Sequence, residues 1–132
     1  MLNHILFSFT FLWQLPQNLV AVGMLLLSKN VRKIDYRHFC IVLTAEMPKN
    51  AGGVSLGNFA FVSPQLAHDE RTLRHEADGH TVDSLIFGPL YLLVIGLPSV
   101  LHLMWFTRKH PADKSYDDFY TERWANRHAG LL

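Results

Sequence analysis

The chain has 132 residues, 49% of them hydrophobic, with a mean hydropathy of +0.11 and a formal net charge of +1. That length suits a single domain spanning residues 1–132, and so even a charge balance, with no concentrated basic face, excludes a nucleic-acid binder held by phosphate neutralisation. The lone Cys40 excludes an intramolecular disulfide and a cysteine-rich metal cluster, and is expected in a buried strand.

The apolar residues are concentrated in two stretches. Residues 1–28 contain no Asp, Glu, Lys or Arg, and neither do residues 84–107; each stretch is long enough to cross a hydrocarbon core about 30 Å thick. Few soluble domains this short hide two such stretches, so the expectation is membrane association rather than a soluble protein with two buried helices. The first stretch lacks a basic leader and a small-x-small cleavage site, and reads as retained rather than as a signal peptide. Lys29, Arg32 and Lys33 follow the first stretch and Arg108 and Lys109 the second, the juxtamembrane pattern of a cytoplasmic side.

In chain order, Trp13-Gln14-Leu15-Pro16-Gln17-Asn18 interrupts the first stretch, because proline removes a helical hydrogen bond and amides dislike lipid. This predicts a short segment over 3–12, a break, and a helix from 16 or 17 to about 28, as either a hairpin or one kinked helix. Residues 38–44 and 54–62 are β-prone and separated by Pro48, Asn50, Gly52 and Gly53, which predicts a small β-hairpin. Asp69 is a plausible N-cap for a helix over about 70–87. Gly88-Pro89 and then Gly96-Leu97-Pro98-Ser99 disturb the second apolar stretch and predict a bent or re-entrant path. A polar linker over 109–115 leads to a last helix, about 116–128, ended by Gly130. The fold class expected is a membrane-associated α+β protein.

The chemistry-bearing segment is His75-Glu76-Ala77-Asp78-Gly79-His80. In the H-E-x-x-H zinc signature two histidines one helical turn apart share an ion, and the glutamate beside the first acts on the metal-activated water. Here the histidines are five positions apart. On a straight α-helix at about 100° per residue their rings would diverge by about 140°. A π-bulge, with Gly79 easing the distortion, would bring them back toward one face and leave Glu76 as general base. A regular helix would instead align Glu76, His80 and Asp83, which with Glu122 make an oxygen-rich set suited to manganese or iron. The third possibility is that no metal binds.

In peptidases of the thermolysin type a glutamate on a later helix completes the zinc site and an acid four positions on supports a histidine. The match here is Glu122 with Asn126, whose amide oxygen can accept from an imidazole N–H without the strength a charge would add. His4, His38, His68, His102, His110 and His128 have no partner at a ligand spacing and read as surface, interfacial or core residues. Trp13, Tyr91, Trp105 and Trp124 read as interfacial anchors or packing residues.

Several segments together resemble a family of short, uncharacterised bacterial membrane-associated proteins: 11–18 (FLWQLPQN), 52–59 (GGVSLGNF), Gly79-His80 running into Gly88-Pro89-Leu90-Tyr91 and Gly96-Leu97-Pro98-Ser99, and Phe119-Tyr120-Thr121-Glu122 with Trp124-Ala125. Members usually carry H-E-x-G-H and T-E-x-W-A-D. The resemblance covers nearly the whole chain and implies a membrane-associated, metallopeptidase-like protein of the bacterial inner membrane. This chain departs from it in the extra residue between Glu76 and Gly79 and in Asn126, where an aspartate is usual.

The expected function is therefore peptide-bond hydrolysis by zinc held on His75, His80 and Glu122, with Glu76 as base and a peptide or protein substrate beside the hairpin. The alternative is a catalytically inactive membrane scaffold or interaction protein that keeps the fold. If the three ligands meet, the chain on either side of the second stretch must return to one side of the bilayer, and Gly96-Leu97-Pro98-Ser99 is the expected turning point, with the site on the cytoplasmic face.

Overall fold

Proline and its flanking amides break the first apolar stretch where the sequence predicts. In a computed structural model of the protein, residues 1–37, 39–47, 52–109 and 119–131 are described. Helix α1 (Leu2–Trp13) ends at Gln14, and α2 (Leu15–Leu27) carries Pro16 in its first turn, where its missing N–H has no helical partner to lose. The two helices meet at 97°.

The amides at this corner are buried in protein and each NH2 group is hydrogen-bonded, which offsets much of the cost of burying them, although the side-chain oxygens of Gln14 and Gln17 have no partner among the described residues. Gln14 and Asn18 both donate to Asn58 Oδ1, at 3.3 and 2.9 Å. Asn58 in turn donates to Thr10 Oγ1 and the Phe39 carbonyl, and its backbone N–H donates to Asn18 Oδ1. Gln17 reaches Ser84 Oγ and the Gly88 carbonyl, and the Trp13 indole reaches the Leu85 carbonyl. The corner is thereby tied to both the sheet and the helix that follows it.

Strands β1 (Arg32–Arg37), β2 (Cys40–Thr44), β3 (Gly53–Leu56) and β4 (Phe59–Val62) form one mixed sheet in the order β1-β2-β4-β3. The single hairpin expected between 38–44 and 54–62 is corrected here. Strands β2 and β4 are parallel, from Ile41 opposite Phe59 to Thr44 opposite Val62, and the 54–62 run is itself folded into the antiparallel β3–β4 pair. The cause is Gly57-Asn58: Gly57 has φ +65°, and a two-residue loop of this type closes a tight hairpin. Strand β1 lies in a charged stretch without a clear strand signal, and its pairing with β2 slips between Lys33 and Asp35.

Alternation along the strands sorts the core into two faces. Leu43, Leu56, Phe59 and Phe61 pack with Ala21 on the α1–α2 side. The smaller Cys40, Val42, Ala60 and Val62 pack with Leu73 and Ala77 on the other side. Cys40 is the buried strand residue expected.

That second face carries a helical run from Glu70 to Leu90. Asp69 caps it by accepting from the Thr72 N–H at 3.3 Å. The run comprises α3 (Glu70–Leu73), a π-helical segment (Arg74–His80), α4 (Thr81–Phe87) and a 3-10 turn (Gly88–Leu90). The chain then bends by 117° around Tyr91. The turning point expected at Gly96-Leu97-Pro98-Ser99 is also corrected: a π segment (Leu92–Gly96) runs into α5 (Leu97–Lys109) without a reversal. The looser π turn absorbs Pro98, and the Val94 carbonyl, deprived of an α-helical donor there, accepts from the Tyr120 hydroxyl at 2.6 Å.

Helix α6 (Tyr120–His128) closes the chain and ends at Gly130, φ +70°. The polar linker beyond Lys109 and the start predicted for the last helix at 116–118 lie outside the described residues. Among the described residues no single helix is long and apolar enough to cross a membrane, although the two bent pairs, α1 with α2 and the runs either side of Tyr91, have that length and composition together.

Asn58→Ala removes the hub of the buried corner and strands several donors and acceptors. A loss of about 3 kcal/mol, read as a fall of about 10 °C in thermal midpoint, is expected; a midpoint within 2 °C of wild type, roughly the effect of a neutral surface substitution, would show that the hub carries no net stability.

Candidate metal centre

The π segment is what carries His75 and His80 to the same place. Bonding from i to i+5 spreads one turn over more residues, and the two rings stand 4.7 Å apart between centroids at 86°. Gly79 lies inside that segment, where α6 crosses it. A Cβ on Gly79 would be driven into the Ala125 carbonyl, so only glycine lets the two backbones approach this closely.

That approach sets Glu122 and Asn126, one turn apart on α6, over the first histidine. Glu122 Oε2 is 2.8 Å from His75 Nε2 and 3.7 Å from His80 Nε2. Asn126 Oδ1 is 2.7 Å from His75 Nδ1. An amide oxygen and a carboxylate both accept here, so without a metal His75 donates from Nδ1 to Asn126 and from Nε2 to Glu122, and a metal would take the place of the Nε2 proton. Glu122 Oε1 accepts separately from Thr121 Oγ1 at 3.2 Å, and Ser99 Oγ, with one proton to share, lies 2.8 Å from Thr121 Oγ1 and 3.3 Å from Glu122 Oε1. Pro98-Ser99 therefore serves the site rather than a chain reversal.

Glu76 faces the sheet. Ser55 Oγ lies 2.8 Å from its Oε2 and 2.7 Å from its carbonyl oxygen, with one proton to share between them. A Cβ on Gly53 would come within 2.9 Å of Glu76 Cγ. His75, Glu76 and His80 each bring one ligand atom within 4.8 Å of the others. This group can hold a metal ion, and Glu122 stands beside both of its histidines.

Asp83 lies elsewhere. Its Oδ2 is 3.5 Å from His80 Nδ1, and its Oδ1 is 2.6 Å from His128 Nδ1. Glu122 and Asp83 thus approach different nitrogens of the His80 ring. The regular helix that would have gathered Glu76, His80, Asp83 and Glu122 around one ion is replaced by the π segment. Ser55, Ser99, Thr121 and His128 were not legible as site residues, since their contacts join segments far apart in sequence.

The centre is strongly polarised. Burial opposes ionisation of Glu122, but the side chains and charge of His75 and His80 outweigh it and hold its carboxyl well below the usual range. Burial likewise lowers the His80 pKa, yet Asp83 and Glu122 raise it to about 10. His75 is raised against burial, chiefly by Glu122. Protons on the imidazoles therefore occupy the role a cation would take. Compared with family models, curated proteins and solved structures, the chain matches none of them.

The pH dependence of the metal-free protein follows. The raised His75 and His80 contribute stability that is complete below about pH 6.5 and is lost as pH rises through their folded values, for His80 up to about 10. The lowered Glu122 contributes above about pH 4.5 and loses it as pH falls toward its depressed value. A thermal midpoint that peaks near pH 5–6, roughly between those limits, and declines toward pH 9 is expected. Zinc, which competes with protons for the imidazoles, should raise the midpoint more at about pH 8 than at about pH 6.

Proposed function

We propose that the protein is a membrane-associated zinc metallopeptidase of the bacterial inner membrane, with its site at the cytoplasmic face, as the resemblance read from the sequence implies. The observation that carries this reading is the seating of α6 against the π segment, which sets Glu122 2.8 and 3.7 Å from the histidines that the π segment gathers, while Glu76, close enough to both to share their site, is bonded toward the sheet. Two imidazoles and one carboxylate are a ligand set used by catalytic zinc, which acts as a Lewis acid and lowers the pKa of water to about 7. Asn126 orients His75. Manganese or iron would be the expected metal only if the oxygen-rich set were used.

Glu76 takes the proton of the attacking water and delivers it to the leaving amine as the C–N bond breaks. Its partner Ser55 keeps one carboxylate oxygen fixed. The substrate strand meets the sheet at the Gly53 end of β3, an outer strand, since farther along the Ser55 carbonyl already accepts from the Tyr91 hydroxyl at 3.1 Å. The Ser63 N–H donates to the Gly52 carbonyl, and alternation along an antiparallel ladder then turns the polar groups of Gly53 outward, next to Glu76.

The apolar exterior supports membrane association. Leu2, Ile5, Phe9 and Leu12 on α1, Leu19, Leu26 and Leu27 on α2, and Leu93, Leu97 and Leu101 along the last apolar run are all more than half exposed. A monomer in water rarely presents so many large apolar side chains together.

Elemental analysis of detergent-purified protein tests the metal. About one zinc per chain, lost in His80→Ala and Glu122→Ala, is expected. Glu76→Gln should keep the zinc and lose peptide hydrolysis by at least about 100-fold. Folded wild-type protein that takes up no zinc on reconstitution would overturn this reading in favour of an inactive membrane scaffold. Separately, the protein should float with phospholipid vesicles after detergent removal; a monodisperse monomer left in the dense fraction would refute membrane association.

A further inference from the structure

The two histidines of the centre are supported in different ways. His75 has a neutral amide, Asn126, on its Nδ1. His80 has a carboxylate, Asp83, facing its Nδ1 at 3.5 Å. Asp83 is fully buried, and both Asp83 Oδ2 and His80 Nδ1 are buried without a hydrogen-bond partner among the described residues. Two orphaned atoms of complementary kind that face each other inside a protein are a contact waiting for the ring to take up its final orientation. The other oxygen of Asp83 is already committed, 2.6 Å from His128 Nδ1 near the end of α6, where the His128 side chain is 31% exposed.

We propose that Asp83 is the positioning residue of the second histidine and that His128 anchors it. Resting on the metal-centre reading above, this assigns Asp83 to a place behind the ligands instead of among them. An Nδ1–H donated to Asp83 Oδ2 leaves the lone pair of His80 on Nε2, the nitrogen that faces Glu122, and a carboxylate in that position raises the ring's basicity as a ligand. The charge missing behind His75, where Asn126 stands, is thus supplied behind His80. Helix α6 contributes to both supports: Asn126 holds His75 directly, and His128, two residues on, holds Asp83.

The test is a competition titration of zinc against a chromophoric chelator, using detergent-purified full-length wild type, Asp83→Asn and His128→Gln, with visible spectra of the cobalt-substituted proteins. Asp83→Asn should still bind one metal per chain, about 10- to 100-fold more weakly, with a four-coordinate cobalt spectrum. His128→Gln, which leaves the buried carboxylate in place, should show a smaller loss in the same direction. Affinity unchanged in Asp83→Asn would overturn the proposal, and so would loss of a ligand from the cobalt spectrum, since Asp83 would then be a ligand itself. If Asp83→Asn does not fold, His128→Gln decides: a several-fold weakening supports the anchor and unchanged affinity refutes it. Absence of zinc from folded wild type would instead sink the metal reading, a result distinct from an affinity that the variants fail to change.

Discussion

Everything at the centre depends on how closely two backbones approach at Gly79. The π segment alone would bring His75 and His80 together and leave them with Glu76. Only because α6 lies directly against that segment, its Ala125 carbonyl where a side chain would otherwise be, do Glu122 and Asn126 reach the first histidine. The same seating fixes the reach of His128 to Asp83. A bulkier residue at this point would displace all three contacts at once, since they come from one rigid helix.

The sheet enforces the other half of the geometry through residue size. Its α1–α2 face carries Leu43, Leu56, Phe59 and Phe61, whereas the face toward the π segment carries Cys40, Val42, Ala60 and Val62. Small side chains let a wide helical turn sit close to the strands, near enough for Ser55 to bond Glu76. Close packing of this kind is sensitive to added volume. The corner of Gln14, Gln17, Asn18 and Asn58 holds the assembly from the opposite face, joining α1, α2, the β3–β4 turn and α4 through hydrogen bonds that have no water to fall back on.

Local signals were legible in the sequence and long-range pairing was not. The break at Gln14 to Pro16, the cap at Asp69, the bend after Gly88-Pro89 and the stop at Gly130 each follow from one or two residues whose backbone limits are strict. The parallel β2–β4 pairing joins segments with no covalent hint of their register, and β1 sits in a charged run that reads as a juxtamembrane tail. Pro98 misled for a physical reason: a π turn before it accommodates the proline that would break a regular helix. For the centre, the five-residue spacing of His75 and His80 left a distorted helix, a regular helix with an oxygen-rich set and no metal all open, and Glu122 with Asn126 stood out only by likeness to thermolysin-type peptidases. The hydroxyls of Ser55, Ser99 and Thr121 have no such spacing to betray them.

The slip in the ladder between Lys33 and Asp35 has a consequence for how this chain meets other strands. Of the two outer strands, β1 carries Arg32, Lys33, Asp35 and Arg37 and an irregular register, features that discourage a foreign strand from adding on. The opposite margin begins with a glycine and carries no charge. The two margins therefore resist an added strand in different ways: β1 by charge and an irregular register, and the far half of β3 by burial, with its Ser55 carbonyl already accepting from the buried Tyr91 hydroxyl at 3.1 Å. This leaves the Gly53 end, next to Glu76, as the less covered part of the sheet.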